Sequence, residues 1–258
     1  MIFLCQKDVY TSMKDLNSHP TVRNLSSSAV VTLPPSHISA SWLRQLAIEA
    51  GADDVGFVSL SRTELDDQRT DILAALPGAK TLLSFVVRMN RENIRTPARS
   101  TSNLEFHHST DDANEIAREI VRACEGIGVR ALNPSAGFPM EADRWGEKMW
   151  TVSHKPVAVA AGLGQMGIHR NVIHPRFGNF ILLGTVILGS EVEEEARPID
   201  YNPCLECKLC VAACPTGAIS PDGHFNFSAC YTHNYREFMG GFTDWAHTLA
   251  NSRSDTDY

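Results

Sequence analysis

The 258-residue sequence has no long apolar run, no excess of basic charge and little glycine or proline. Its longest strongly apolar stretch, Phe180 to Gly189, is about half of what a membrane-spanning helix requires, so no span is expected. Lys plus Arg number 23 against 30 for Asp plus Glu, a formal net charge of −7. That balance argues against broad electrostatic binding to nucleic acid or anionic lipid and leaves only a local basic patch open. With 17 Gly and 13 Pro, fibrous and low-complexity architectures are excluded. The N-terminus, from Met1 to Asp8, lacks a basic region ahead of its short apolar stretch, and no twin-Arg pair follows. Neither export route is signalled, and the cytoplasm is the expected compartment. What remains is a chain that is 43% apolar, enough for an ordinary core in one large domain or two smaller ones.

Residues 1–36 are rich in Ser and Thr, carry Pro34-Pro35, show no sustained periodicity and read as a peripheral lead segment. Ser39 or Ser41 can cap a helix through Trp42, Leu43, Leu46, Ala47 and Ala50 that ends at Gly51. Strands are expected at 55–58 and 81–87, with a polar helix over 64–76 between them. Thr110 precedes an amphipathic helix with Ala113, Ile116, Ala117, Ile120, Val121 and Cys124 on one stripe, closed by Gly126 and Gly128. Cys124 therefore belongs to the core. A short strand from Val129, an irregular segment, a small-residue run 156–161 and an apolar run 180–188 complete an alternation that reads α/β (α+β). The acidic stretch 191–195, followed by Pro198 and Pro203, is expected to be a linker. The expected organisation is a lead segment (1–36), an α/β domain (37–198) and a cysteine-rich domain (199–258).

Five of the seven cysteines fall within 204–230. A reducing compartment disfavours a disulfide framework, so their spacing points to a metal site. Cys204-x-x-Cys207-x-x-Cys210-x-x-x-Cys214-Pro215 is the bacterial ferredoxin pattern for a [4Fe-4S] cluster. Three thiolates at three-residue intervals let one tight loop reach three iron corners. Structural zinc instead uses two separated cysteine pairs. Two clusters need eight cysteines, and this region has five. Either Cys214 or Cys230 completes a single cluster, or the chain is a shortened form of a longer protein whose missing ligands lie downstream. The hydrophilic ending 251–258 agrees with the second expectation.

Gly162-Leu163-Gly164-Gln165-Met166-Gly167 matches the dinucleotide-binding glycine pattern, but its context does not. Pro175 arrives eight residues after Gly167, and the first acidic residue, Glu191, is 29 positions beyond Gly162. A dinucleotide fold needs a long helix and an acid about 20 residues on. The glycines mark instead a place of close backbone approach. From Lys148 to Ser190 no acidic residue occurs, although Lys148, His154, Lys155, His169, Arg170, His174 and Arg176 do, which suggests an anionic or polar ligand.

The run Ser153-His154-Lys155-Pro156 through Ala161-Gly162-Leu163-Gly164 to Gly167, then 179–188, then the cysteine motif resembles the epoxyqueuosine reductase and reductive dehalogenase superfamily. The resemblance implies a nitroreductase-like cobalamin-binding domain followed by a ferredoxin-like domain that delivers electrons to cobalt. It implies that His154, Lys155, Gly162, Leu163, Gly164 and Gly167 bind cofactor. It also implies a ferredoxin or flavodoxin as electron donor and a small-molecule or modified-nucleoside substrate. In the stretch 132–137, Asn133 stands where epoxyqueuosine reductases carry an Asp as proton donor, and an amide cannot donate as a carboxylic acid does. None of Tyr10, Tyr201, Tyr231, Tyr235 and Tyr258 falls where the dehalogenases' tyrosine is expected. Arg144, Lys148 and His154 are the remaining proton-donor candidates.

Overall fold

Ser39 accepts a hydrogen bond from the Trp42 backbone N–H at 3.4 Å, so the first helix of the main body starts at its expected cap. The computed structural model describes residues 19–28, 35–137, 151–201, 203–204, 207–235 and 241–254, and divides into two units, Met1–Pro34 and Pro35–Tyr258. The first unit contains α1 (Pro20–Ser28), a helix within the segment read from sequence as lacking periodicity.

The second unit begins with β1 (His37–Ile38), α2 (Ala40–Glu49) and β2 (Asp54–Ser59). After a 3-10 turn at Thr63–Leu65 come α3 (Asp66–Ala75), β3 (Thr81–Arg88), α4 (Arg91–Arg95), α5 (Arg99–Gly126) and β4 (Ala131–Leu132). Then follow α6 (His154–Ala160), β5 (Gln165–Met166), β6 (Val172–Ile173), β7 (Ile181–Leu188) and β8 (Glu191–Val192). The cysteine-rich part holds α7 (Leu209–Ala213), α8 (Phe227–Tyr235) and α9 (Gly241–Asn251). Among the described residues no helix is long and apolar enough to cross a membrane.

The central sheet runs β2-β3-β7-β4, and every neighbouring pair is antiparallel. Leu83, Phe85 and Val87 of β3 pack with α2 and α5 on one face, while Leu82 and Val86 pack with α3 and α6 on the other. A strand covered on both faces alternates between two apolar environments, so it reads in sequence as an unbroken apolar run. Helices cover both faces, as the expected α/β (α+β) class requires, and the antiparallel pairing of the central sheet puts the fold on the α+β side of it.

Three local expectations change. The amphipathic helix α5 begins at Arg99, eleven residues before its expected start. Its first turns are held by Glu105, a buried carboxylate that accepts from the Asn90 backbone N–H (2.6 Å), Asn90 Nδ2 (3.2 Å), Asn93 Nδ2 (2.8 Å) and Ser109 Oγ (3.4 Å). The small-residue run 157–161, which could pass for a strand, lies in helix α6 and its C-terminal cap. The acidic 191–195 stretch is tied down: β8 pairs in parallel with β1, Arg44 grips Glu194 with two bonds (2.7 and 3.2 Å), and Arg62 reaches Glu195. Cys124 is fully buried in the α2–α5 core, where desolvation pushes its thiol up to about 11.

Candidate functional site

The glycine loop follows α6 rather than preceding a helix, so the dinucleotide reading is ruled out on topology as well. Gly162 has φ +76, a conformation an L side chain rarely adopts, and a Cβ there would lie 2.7 Å from the Arg197 carbonyl oxygen. At Gly164 a Cβ would lie 2.5 Å from the Ile173 carbonyl oxygen. The close approach that these glycines permit is thus to the chain itself. Gln165, inside the loop, donates from Nε2 to the Ile199 carbonyl at 2.6 Å. The preceding residue pair is fixed as well: Ala196 N donates to Phe57 O (2.8 Å), and Arg62 donates to Ala196 O (3.0 Å). Residues 196–199, which lead into the cysteines, are therefore seated on the glycine loop and on β2.

At the start of α6, the His154 ring bridges two elements. Its Nε2 lies 2.8 Å from the Ser135 carbonyl and its Nδ1 lies 2.9 Å from Thr185 Oγ1. A carbonyl can only accept, so Nε2 carries the proton and Nδ1 accepts from the threonine hydroxyl. Burial holds the imidazole's pKa below its ordinary value, although the Ser135 carbonyl works the other way. Asn114 on α5 accepts from the Ala136 N–H at 2.9 Å. The 133–136 loop, which carries Asn133, is thus held from α5 and α6 together. Gln68 on α3 accepts from the Ser153 N–H (3.0 Å), while its own buried Nε2 finds no hydrogen-bond partner. Arg144 and Lys148 lie outside the described residues.

Lys155 points a different way from its neighbour. Although it is an exposed residue, enough protein surrounds its ammonium for desolvation to lower its pKa, with the Cys230 sulfur opposing that shift. His169 has its pKa lowered first by burial and then by the Lys155 charge. Lys155 therefore sits within electrostatic reach of both His169, beyond the glycine loop, and Cys230 on α8.

Cys204 and Cys207 precede the short helix α7, Cys210 lies in its first turn and Cys214 is its C-terminal cap. Among the described residues no three His, Cys, Asp or Glu side chains are gathered closely enough to hold a metal ion. The structure therefore does not choose between Cys214 and Cys230 as a fourth ligand. The donor chemistry nevertheless suits iron. Cys214 Sγ accepts from the Ala218 N–H at 3.2 Å and lies 3.6 Å from Thr216 Oγ1. The Thr216 hydroxyl, followed by N–H groups of this turn, draws the thiol down to about 7 and so favours the thiolate that binds metal.

Sequence reasoning did not single out Gln68, Asn114, Ser135, Gln165 or Thr185. Thr185 was detectable in principle, as a hydroxyl within an otherwise apolar strand.

The antiparallel sheet, its helices and the cysteine run define an α+β body followed by an iron–sulfur type cysteine motif. Residues 197–220 match the family described as 4Fe-4S binding domain, which takes in Cys204 to Cys214 and stops short of Cys230. The epoxyqueuosine reductase of Prochlorococcus marinus is 26% identical over 174 residues, covering 66% of this chain and 51% of that protein. An epoxyqueuosine reductase solved with an epoxyqueuosine-modified tRNA stem loop has a TM-score of 0.51 at 20% identity, over 72% of this chain and 54% of that one. A reductive dehalogenase, whose structure is described in terms of B12-dependent dehalogenation, has a TM-score of 0.57 at 19% identity, over 75% of this chain and 28% of that one. The chain spans about half the length of two curated relatives that it matches over about two thirds of its own length. It is an epoxyqueuosine reductase-like iron–sulfur protein, with the fold of those enzymes and of reductive dehalogenases.

Proposed function

We propose that this chain forms the electron-delivering and cofactor-binding part of a cobalamin-dependent iron–sulfur reductase. Cys204, Cys207 and Cys210 hold a [4Fe-4S] cluster, with Cys214 or Cys230 as the fourth ligand. A ferredoxin or flavodoxin supplies the electrons. The substrate is a small molecule or a modified nucleoside, the latter suggested by the relative solved with a modified tRNA stem loop.

The observation that carries this reading is the seam between the glycine loop and residues 197–199. Gly162 against Arg197 O and Gln165 bonded to Ile199 O set the entry to the cysteine loop directly on the segment that resembles a cofactor site. Lys155 lies within electrostatic reach of Cys230 across the same region. One-electron donors serve a reduction only if cluster and acceptor are held close, and this seam is a means of doing so.

The residues present suit a bound cobalamin. Buried Gln68 Nε2 is an unspent amide donor beside the start of α6, and Lys155 offers a cation there. Cobalamin, when bound, supplies a cobalt centre able to perform the difficult reduction. His154 keeps its Nε2 proton on the Ser135 carbonyl, so its part is to position the 133–136 loop. Asn133 in that loop can orient a substrate but cannot act as a carboxylic acid.

Anaerobic reconstitution with iron and sulfide, followed by spectroscopic titration with cobalamin, tests the reading. A brown protein with about four irons per chain that retains the corrinoid supports it. A cluster without corrinoid binding reduces the chain to an electron carrier, and a colourless zinc protein rejects both.

A further inference from the structure

The overall charge excludes broad binding of anions, yet one cavity of about 480 Å³ is lined by three arginines, Arg88, Arg91 and Arg176, with Phe177 and Phe180. It lies where β3 ends, four residues beyond Ser84, the β3 partner of Thr185 in the sheet, and so roughly 13 Å along the strand from that level. We propose that this cavity is a binding site for a phosphate ester, separate from the cluster and cobalamin sites.

The aromatic rings fix the guanidinium groups rather than offering stacking surfaces. The Arg176 and Arg88 guanidiniums lie 4.6 and 5.7 Å from the Phe177 ring centre, and His174 stacks on the same ring at 4.7 Å. Arg91 lies 5.5 Å from the Phe180 ring centre. With the Phe177 ring engaged by protein groups, the cavity recognises charge more than a flat base.

The loop that carries Arg176 and Phe177 is itself rigidly placed. Buried His174 accepts at Nδ1 from the Arg176 N–H (3.1 Å), and its Nε2 lies 3.0 Å from Asp54 Oδ2. Since Nδ1 accepts, Nε2 donates to Asp54. His174 and Gly178 also exchange backbone hydrogen bonds across the turn, at 2.8 and 2.9 Å.

Nearby carboxylates turn their oxygens to other donors, and none of them lines the cavity. Glu105 has its oxygens taken by Asn90, Asn93 and Ser109. Asp54 is occupied by His174 and the Val55 N–H. Asp53 meets Arg88 at 3.8 Å, and the Asp54 charge is felt by Arg176. The cavity wall itself therefore presents guanidinium groups and no carboxylate. A planar guanidinium presents paired donors that match phosphate oxygens, and phosphate brings enough negative charge to engage more than one of them.

Two sources share this chemistry, a small phosphorylated metabolite and a phosphodiester strand. Calorimetric titration of the full chain at low salt with inorganic pyrophosphate, uridine 5′-monophosphate, uridine and a short RNA stem loop separates them. The expected result is binding of pyrophosphate and the monophosphate but not of uridine, weakened about tenfold by Arg91→Gln and by Arg176→Gln. Arg118→Gln, which alters an exposed pair with Glu115 on α5, should leave binding unchanged. Stem-loop binding much tighter than that of the monophosphate, equally sensitive to Arg91→Gln, assigns the site to a strand; comparable affinities assign it to a small ester. No binding of any phosphate probe, or binding indifferent to both substitutions in variants whose circular dichroism matches the parent, overturns the proposal. Cluster content and corrinoid binding are measured on the same variants, so loss of the cofactor reading and loss of this site can be told apart.

Discussion

The sheet region and the cysteine region are stabilised on different principles. In the sheet region, Leu43, Phe57, Leu83, Phe85, Ile120 and Ile187 are all fully buried between helices and strands. Beyond residue 199, the only buried apolar side chain among the described residues is Ala218, while Leu209 and Phe227 are 76% and 55% exposed. The first region has enough apolar burial to stand as a folded body. The second has hydrogen-bonded turns, such as Asn226 N to Ala218 O at 2.8 Å and Asn226 Oδ1 capping α8 through Ala229, but little to drive its own collapse. A region of that kind depends on metal–thiolate bonds, so ligand binding and folding become one event.

The sharpest way to break this contrast is at the cysteines. Cys204→Ser, Cys207→Ser or Cys210→Ser should each lower iron from about four atoms towards zero and expose 199–235 to limited proteolysis, while the sheet stays resistant. Cys124→Ser should leave iron unchanged. Full iron in all three ligand variants would end the iron–sulfur assignment.

The converse change is made in the core. Phe85→Ala removes a fully buried ring that packs over Gly184, and should cost about 3–5 kcal/mol in chemical denaturation. Iron content per folded molecule should hold.

Gly162→Ala addresses the seam between the two regions. The positive φ and the nearby Arg197 carbonyl predict a loss of about 1–3 kcal/mol and faster hydrogen exchange at 196–199. Unaltered exchange there would show that the seam is not a constraint.

A smaller effect follows from His154, whose pKa is depressed by burial when folded. The unfolded chain then binds more protons than the folded one below the ordinary histidine pKa of about 6.5. This residue's share of stability is complete above that pH and is lost as pH falls towards the folded value. His169 has the same sign, and Asp54, lowered chiefly by its bond to His174, adds a loss only at lower, acidic pH. Comparing denaturation at mildly alkaline and mildly acidic pH, His154→Gln should show a flatter slope than the parent. Smallest of all is Arg44→Gln, which removes a half-exposed ion pair with Glu194 and should cost under about 1 kcal/mol, less in high salt.

The sequence was most legible where one physical signal dominated. Apolar runs located β3 and β7 because both strands are largely enclosed by the sheet's helices, and Ser39 marked the start of α2 through its hydroxyl. The cysteine spacing was legible because metal geometry demands it locally. Tertiary partners hid the rest. The first turns of α5 expose Leu104 and Phe106, so they lack an apolar stripe and depend on Glu105 meeting Asn90 and Asn93. The small residues of α6 allow the end of that helix to approach Gly56, where a Cβ would come within hydrogen-bonding distance or less of the Ala161 carbonyl, a constraint visible only across the sheet. His154 could be named as a candidate, but its joining of Ser135 to Thr185 needed residues 19 and 31 positions away. Arg176 was noted in a stretch without acids, whereas its companions Arg88 and Arg91 lie far from it in the chain.

The seam at the glycine loop is made on one side from carbonyl oxygens, those of Arg197 and Ile199. Every residue type carries that oxygen, so selection acting on the seam should leave positions 197 and 199 free to drift while constraining positions 162 and 165. An alanine scan of 197 and 199 would then be nearly silent in stability and iron retention, and related sequences would show no covariation across this seam. Replacing the peptide between Ile199 and Asp200 by an ester, which weakens the Ile199 acceptor and changes no side chain, is the probe to which such a joint is sensitive.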